Sequence, residues 1–372
     1  MIPFNKPYLT GNERVYIEEV LKNGRFSGNN VFSKKCAAWL EDRLQCAKAV
    51  IVPSGTAALE MMMILAGIGP GDEVIVPSFT FSSTANAVVL RGATPVFADV
   101  RPDTMNIDEK RIEAAVTPRT KAICPVYYAG VACDMEAIES LARRHGLLAL
   151  PDAAQAIGSA YKGRPLCSYG HMAALSFHET KNVHCGEGGA LLINDPAFVE
   201  RAEIVMEKGT DRSKFFRGEI DKYSWVDVGS SFLVNEITAA FLYAQLEQSE
   251  KITERRLELW TRYYRELEPL EKGGKLRRPT VEGCVHNGHI FWILLNDAAI
   301  RDRLIYELKD KGIGAVFHYI PLHDAPMGLN FSSHDLPTAA ECSARLLRLP
   351  LYVEMTPQEM EYVVESVREV LS

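Results

Sequence analysis

The sequence lacks several features that would each place it in a specialised class of protein. Its eight cysteines are scattered without a Cys-x-x-Cys pair, and no histidines cluster at metal-ligand spacing, which argues against a zinc module or a disulfide scaffold. No apolar run reaches the roughly 18 residues of a membrane-spanning helix, and the N-terminus does not read as a signal peptide. We therefore expect a cytoplasmic protein with reduced thiols, no metal and no membrane contact.

The chain also lacks an excess of positive charge. It has 41 Lys and Arg residues against 48 Asp and Glu residues, which gives a formal net charge of -7 at pH 7. A nucleic-acid-binding surface needs basic residues that neutralise phosphates, so no nucleic-acid partner is expected. A local basic pocket for one phosphorylated ligand remains compatible with this composition.

What the sequence does contain is a repeated alternation of short β-rich runs and helical patterns between about residues 48 and 195. This alternation predicts an α/β domain in which a mainly parallel, mixed sheet lies between helices. One predicted helix, 134–145, carries apolar residues on one face and ends at Gly146. The predicted strands are 50–52, 73–76, 95–98, 122–126, 147–150, 173–177 and 190–193.

The C-terminal part of the chain has a different pattern. Residues 231–268 predict one or two long linking helices. They are followed by a strand at 290–295, a helix at 300–311, a strand at 315–319 and helices near 338–347 and 356–371. With 372 residues, about two domains are expected. We place a large cofactor-binding α/β domain, with an N-terminal arm, at 1–245 and a small α+β domain at 246–372.

Polar segments follow four of the predicted strands, and ligands of open α/β sheets bind beyond the carboxyl ends of strands. Ser54-Gly55-Thr56 opens a helix, where small residues let backbone N–H groups approach a phosphate. A simple helix cap is an equally good interpretation of these three residues. Phe81 follows another strand, where its ring either stacks on a planar ligand or fills the core.

Asp152 and Lys181 follow two further strands. Asp152 either caps a helix or pairs with the protonated nitrogen of a pyridine ring, which keeps that ring an electron sink. In the second case Gln155 could hydrogen-bond the phenolic oxygen of the ring. Most lysines are simply solvated, but Lys181 lies just beyond an apolar strand. Desolvation and nearby positive charge there lower the pKa of an amine enough for it to attack an aldehyde.

These segments, in this order, resemble the DegT/DnrJ/EryC1/StrS family of sugar-nucleotide aminotransferases, a branch of the fold-type I pyridoxal-phosphate-dependent transferases. The resemblance runs from Pro3 to nearly the C-terminus. Its motifs are Ser54-Gly-Thr-Ala-Ala-Leu59, Gly69-Pro-Gly-Asp-Glu-Val-Ile-Val-Pro77, Gly92-Ala-Thr-Pro-Val-Phe97, Asp152-Ala-Ala-Gln155, Ser176-Phe-His-Glu-Thr-Lys181, Gly186-Glu-Gly-Gly189 and Tyr319-Ile-Pro-Leu-His323.

The resemblance implies that Lys181 holds pyridoxal 5′-phosphate as a Schiff base, with pyridoxamine 5′-phosphate as an intermediate, and that Asp152 pairs with the pyridine nitrogen. Lys181 and Asp152 are thus the predicted catalytic residues. The other implied cofactor contacts are Gly55, Thr56 and Ser176 at the phosphate, Phe81 and Gln155 at the ring, and Asn235 from the second subunit of a homodimer with shared active sites. The predicted substrate contacts are Tyr319, His323 and Arg212.

The stretch 208–231 resembles family members that transfer an amino group from L-glutamate to dTDP-4-keto-6-deoxyglucose. This implies the product dTDP-4-amino-4,6-dideoxygalactose and a role in surface polysaccharide synthesis, of the enterobacterial common antigen type. Pro151, where many members have glutamate, and Asn235-Glu236 depart from the common pattern but remove no catalytic group.

Three alternatives to this substrate and reaction remain open. The first is transamination of another sugar nucleotide, at C3 or C4. The second is a sugar 3-dehydratase, which has histidine in place of the Schiff-base lysine, so Lys181 counts against it. The third is a regulator that binds sugar nucleotides without turnover. The set of Asp152, Gln155 and Lys181 counts against that third alternative, because a binder has no need of an electron sink.

Overall fold

The computed structural model of the protein describes residues 1–331 and 335–372. The strands are β1 Lys48–Val52, β2 Glu73–Pro77, β3 Thr94–Ala98, β4 Thr120–Ile123, β5 Leu148–Ala149, β6 Ala160–Tyr161, β7 Arg164–Pro165, β8 Met172–Ser176, β9 Gly189–Ile193, β10 Leu276–Arg277, β11 Cys284–Val285, β12 Phe291–Leu295 and β13 Leu346–Leu349. The α-helices are α1 Glu13–Asn23, α2 Val31–Leu44, α3 Gly55–Leu65, α4 Ser82–Val89, α5 Glu109–Ile112, α6 Met135–His145, α7 Val199–Met206, α8 Arg212–Phe216, α9 Glu236–Leu246, α10 Ser249–Glu266, α11 Glu268–Lys272, α12 Ala298–Asp310, α13 Pro337–Arg345 and α14 Pro357–Leu371.

The predicted mainly parallel sheet is confirmed. Four parallel strands lie in the order β3-β2-β4-β5, and β8, β9 and β1 form the neighbouring part. Single parallel bridges from Asp152 to Val126 and to Ala174 join the two parts. Because β9 is antiparallel to both β8 and β1, it alone runs against the others in the seven-strand layer. The carboxyl ends of β1, β2, β5 and β8 therefore meet at one edge.

Alternate residues of the central strands enter two different apolar clusters. Ile75 of β2 lies in one cluster, whereas its neighbours Val74 and Val76 lie in the other. Such alternation is expected for a sheet that is covered by helices on both faces. Among these helices α6 follows its prediction closely, since Asp134 caps its N-terminus and Gly146 ends it with φ 66°.

The C-terminal part contains the antiparallel sheet β10-β12-β13 and a third apolar cluster, which Ile2 of the N-terminal arm joins. On β12, Ile293 faces this cluster, whereas Trp292 and Leu294 face the cluster shared with the large sheet. The segment 231–268, predicted as one or two long linking helices, contains two helices, α9 and α10. The domain boundary between residues 245 and 246 stays a prediction.

The predicted strand at 315–319 is wrong. In this segment only Val316 makes a bridge, to Arg348. The carbonyl oxygens that follow are bonded to side chains instead: the Arg348 guanidinium donates to Phe317 O at 2.8 Å, and Ser343 Oγ donates to Tyr319 O at 2.7 Å. These bonds hold the segment as a loop. No helix in the described part of the chain is long and apolar enough to cross a bilayer.

We predict that Ile293→Ala lowers the free energy of unfolding by about 2–5 kcal/mol, because the side chain is fully buried and its truncation leaves a cavity. Urea unfolding followed by tryptophan fluorescence measures the loss. The control Val285→Ala removes a side chain that is 64% exposed and should change stability by less than about 0.5 kcal/mol. Equal losses in the two variants would contradict the assignment of Ile293 to the core.

Candidate active site

A cleft of about 810 Å³ opens where the carboxyl ends of β1, β2, β5 and β8 face β13 and the 316–319 loop. Most of the predicted site residues line it together. They are Gly55, Thr56, Phe81, Asp152, Gln155, Ser176, Lys181 and Tyr319. The structure thus gathers residues that lie up to 264 positions apart in sequence (319 − 55) into one space.

Lys181 follows β8 in a turn in which its backbone N–H donates to His178 O at 2.8 Å. Loss of hydration within the cleft lowers the pKa of its amine to about 8; the Asp152 carboxylate opposes this shift, and the positive charge of Arg348 adds to it. An amine with this pKa is substantially neutral at mildly alkaline pH. Lys181 is therefore available as a nucleophile and as a base.

Asp152 is buried and held by two donors. Thr84 Oγ1 donates to its Oδ2 at 2.8 Å, and the Ala154 backbone N–H donates to its Oδ1 at 3.1 Å. Burial raises the pKa of this carboxyl group, while Thr84, Ala154 and Lys181 act in the opposite direction. A carboxylate has about four acceptor positions, so Asp152 can still receive a cationic N–H from a ligand in the cleft.

The N-terminus of α3 forms a small cradle. Ser54 Oγ accepts from the Ala57 N–H at 3.0 Å, so the cap prediction holds for Ser54, while the N–H groups of Gly55 and Thr56 precede any intrahelical acceptor. A Cβ atom at Gly55 would lie 2.8 Å from Ser176 Cβ, so only glycine brings the two backbones this close. Gly55, Thr56 and Ser176 together fit a phosphate.

Two side chains suit the face and edge of a planar ring. Phe81 is 58% exposed and lines the cleft, so the alternative that Phe81 fills the core is wrong; the nearby Phe79 is fully buried. Gln155 Oε1 accepts from the Ala129 N–H at 2.6 Å and its Nε2 donates to the Tyr319 hydroxyl at 3.0 Å. Its remaining N–H is the group that Gln155 can offer to a ring oxygen.

Three predicted residues do not line the cleft of their own chain. The buried His323 has Nδ1 2.6 Å from Ser78 Oγ and Nε2 3.3 Å from Asp324 Oδ1, and so ties the loop after Tyr319 to the end of β2. Arg212 lies on α8, 3.8 Å from Glu207 Oε2. Asn235 is exposed, and its Oδ1 accepts from the Thr238 N–H at 2.9 Å as the cap of α9.

The cleft is also lined by residues that were not predicted from the sequence, among them Arg348, His318 and Phe4. His318 Nδ1 lies 2.7 Å from the Tyr128 hydroxyl, and its ring stacks on Tyr319 with centroids 3.6 Å apart. Burial lowers the pKa of His318. The alternate apolar residues Leu347, Leu349 and Leu351 could have revealed a strand with Arg348 on its other face, but the helix predicted near 338–347 covered the start of this strand.

Comparison with known proteins gives a consistent set of matches. The model of the DegT/DnrJ/EryC1/StrS aminotransferase family matches residues 7–368. The spore coat polysaccharide biosynthesis protein SpsC of Bacillus subtilis is 36% identical, with 100% of this chain and 97% of SpsC covered. The GDP-perosamine synthase of Caulobacter vibrioides is 35% identical, with 98% and 97% covered.

A solved structure shares the fold over the whole chain. The PMP-form of the putative sugar aminotransferase Spr1654 from Streptococcus pneumoniae has a TM-score of 0.91 and 26% identity, with 100% of this chain and 97% of that chain covered. PMP is pyridoxamine 5′-phosphate, a phosphorylated ring compound. The cleft of this chain has the groups that such a cofactor requires: an anion cradle at Gly55, Thr56 and Ser176, a ring face at Phe81, a carboxylate at Asp152 and an amine at Lys181.

We predict that acylation of Lys181 in the cofactor-free protein rises with pH around a midpoint of about 8, because only the neutral amine reacts. In Asp152→Asn the midpoint should fall further, since the negative charge that supports the protonated amine is gone. Pulse labelling and peptide mass spectrometry, normalised to the exposed Lys121, measure both midpoints. An unchanged or higher midpoint in the variant would show that the two groups are not coupled.

Proposed function

The chain belongs to the DegT/DnrJ/EryC1/StrS aminotransferase family and is a pyridoxal-phosphate-dependent sugar aminotransferase, and we propose that it transfers the amino group of L-glutamate to C4 of dTDP-4-keto-6-deoxy-D-glucose. The product would be dTDP-4-amino-4,6-dideoxy-D-galactose, for surface polysaccharide biosynthesis of the enterobacterial common antigen type. The observation that carries the reaction class is the Lys181 amine coupled to the buried Asp152 carboxylate in one cleft. The proposed substrate is supported by the resemblance of the stretch 208–231 to family members that use this sugar nucleotide.

Lys181 has two duties in this proposal. It tethers the cofactor at rest, and its freed amine then moves a proton from the α-carbon of the donor and later delivers one at C4 of the sugar. A pKa of about 8 suits both directions of transfer, because the amine can accept and release a proton near neutral pH. The bound pyridoxal ring supplies an electron sink for the electrons left on the substrate carbon.

The other cleft residues hold and orient the group. Asp152, itself fixed by Thr84, would keep the ring nitrogen protonated through an ion pair. Gly55, Thr56 and Ser176 would bind the phosphate at the N-terminus of α3, where the helix dipole favours an anion. Phe81 would stack on the ring, and Gln155 would donate to the ring oxygen. Tyr319, hydrogen-bonded to Gln155, would contact the sugar ring of the substrate.

A second candidate substrate is a GDP-linked 4-keto-6-deoxy sugar. The GDP-perosamine synthase of Caulobacter vibrioides covers 98% of this chain at 35% identity, which favours this alternative. Both candidates present a ketone at C4 and differ in the nucleotide. The same cleft chemistry would serve either of them.

We predict that the purified protein with L-glutamate replaces the carbonyl oxygen of dTDP-4-keto-6-deoxy-D-glucose by an amino group and releases 2-oxoglutarate. Mass spectrometry of both products measures the reaction, and proton coupling constants at C4 give the configuration. Lys181→Ala should lose at least about 100-fold in turnover, whereas Lys121→Ala, an exposed control, should not. Conversion of only the GDP-linked sugar would refute the dTDP substrate, and activity retained by Lys181→Ala would refute the mechanism.

We also propose that two copies of the chain share their active sites. The exposed segment 212–228 includes Phe216, which is 69% exposed, and Trp225, which is 78% exposed. Large apolar side chains exposed together favour a protein partner. Asn235, at the N-terminus of α9, would reach the phosphate in the neighbouring subunit, and Arg212 would approach the neighbouring substrate.

We predict that inactive Lys181→Ala and impaired Asn235→Asp chains complement each other when mixed. Aspartate still caps α9, but its negative charge would repel the phosphate of the neighbouring site. In a mixed dimer one site combines an intact Lys181 with an intact Asn235, so an equimolar mixture should recover about a quarter of the wild-type activity. Native mass spectrometry verifies subunit exchange; complete exchange without recovery would refute the sharing of sites.

A further inference from the structure

Arg348 reaches the cleft from the C-terminal sheet. It lies on β13, where its neighbours Leu347 and Leu349 are buried in the third apolar cluster. Because successive side chains of a strand point to opposite faces, Arg348 points away from this cluster and lines the cleft with Lys181. A cationic side chain is thus presented to the space in which the reaction is proposed to occur.

The Arg348 guanidinium has donors left for a ligand. Its Nη2 and Nε donate to one carbonyl, Phe317 O, at 2.8 and 3.2 Å, and the group lies 4.7 Å from the ring centroid of Phe4. No Asp or Glu oxygen lies within 4.0 Å of it in the part of the chain that the structure describes. Since a guanidinium carries five N–H donors, several stay available on the cleft side.

The second arginine in the cleft, Arg256, is placed differently. It is 4% exposed, and it donates to the carbonyl oxygens of Gly288, His289 and Leu351 at 2.7–3.2 Å. These bonds fasten the 288–289 turn and the end of β13 to α10. Arg256 therefore supports the wall of the cleft, whereas Arg348 is only partly buried and opens into it.

We propose that Arg348 binds the α-carboxylate of the amino donor and thereby sets the specificity of the site for an amino acid as donor. This inference rests on the proposed transamination and assigns the donor side of it. The planar fork of a guanidinium matches a carboxylate with two parallel charge-assisted hydrogen bonds. The Phe4 ring beside the group limits water, which strengthens such a pair.

The position of Arg348 relative to Lys181 favours a carboxylate over a diphosphate. Arg348 and Lys181 line the same cleft, and the charge of Arg348 contributes to the lowered pKa of the Lys181 amine. In an amino acid the carboxylate and the reacting amine are bonded to the same carbon. In a sugar nucleotide the whole pyranose ring separates C4 from the diphosphate. A side chain that binds the diphosphate would therefore lie nearer the mouth of the cleft.

The test separates the two half-reactions in Arg348→Met, which keeps the length of the side chain and removes its charge. The conversion of the pyridoxal form by L-glutamate, followed by absorbance, should require roughly 10- to 100-fold more donor for half-maximal rate. L-alanine, which has only the α-carboxylate, should lose by the same factor. The conversion by the amino-sugar product should change by less than about 3-fold, since it makes no carboxylate contact.

Binding without reaction gives an independent readout. Calorimetric titration of the holoenzyme with glutarate, which has no amine, should show the same weakening in Arg348→Met and partial recovery in Arg348→Lys, which restores charge but not the fork. The matched control is Arg277→Met, because Arg277 is exposed on β10 of the same sheet. The glutarate affinity of Arg277→Met should equal that of the wild type, and thermal unfolding checks that all three variants are folded.

Each outcome bears on a distinct statement. Equal impairment of both half-reactions in Arg348→Met would overturn the assignment, because Arg348 would then only support the loop at Phe317. An unchanged reaction with L-alanine would also overturn it. If the wild-type enzyme transfers nitrogen from glutamate and the Arg348→Met variant does so equally well, this inference alone is overturned. If glutamate does not convert the pyridoxal form of the wild-type enzyme, both the proposed donor and the role of Arg348 are overturned.

Discussion

The Lys181 amine and the Asp152 carboxylate lie in a cleft where protein atoms replace much of their hydration, and the rest of the site is arranged around this pair. Desolvation disfavours both charges: the pKa of the amine falls to about 8, while that of the carboxyl group rises. Each charge partly stabilises the other, and Thr84 and the Ala154 N–H stabilise the carboxylate further. The balance leaves a reactive amine beside an ion that a ring nitrogen can pair with.

The topology of the large sheet brings these groups together. Parallel strands direct their carboxyl ends to one edge, so residues that follow β1, β2, β5 and β8 meet without long loops. Gly55 lets the N-terminus of α3 lie against Ser176, which brings backbone N–H groups to the cleft that Lys181 also lines. The C-terminal part adds Tyr319 and Arg348 from the opposite wall. The cleft thus combines residues that follow the strands of the large sheet with a wall supplied by the C-terminal part of the chain.

Much of the fold could be predicted from the sequence, because its signals are local. Strands of the large sheet show as short apolar runs between turns, and α6 shows as an apolar face between Asp134 and Gly146. The prediction at 315–319 failed because, among the residues that the structure describes, no strand pairs with this segment after Val316. Side-chain donors, Arg348 and Ser343, satisfy its carbonyl oxygens instead, and no local pattern reports such distant partners.

For the site, the sequence by itself determined which chemical groups follow which strands, and hence that Asp152, Lys181 and the Ser54-Gly55-Thr56 turn belong to one cleft. It determined this because strand ends and turn residues are encoded locally, and because parallel topology brings strand ends together. Only the tertiary structure decided that Phe81 lines the cleft while Phe79 is buried, that His323 holds Ser78, and that Arg348 lines the same cleft as Lys181. Those outcomes depend on which surfaces pack against each other, and packing joins residues whose distance along the chain carries no signal of their contact.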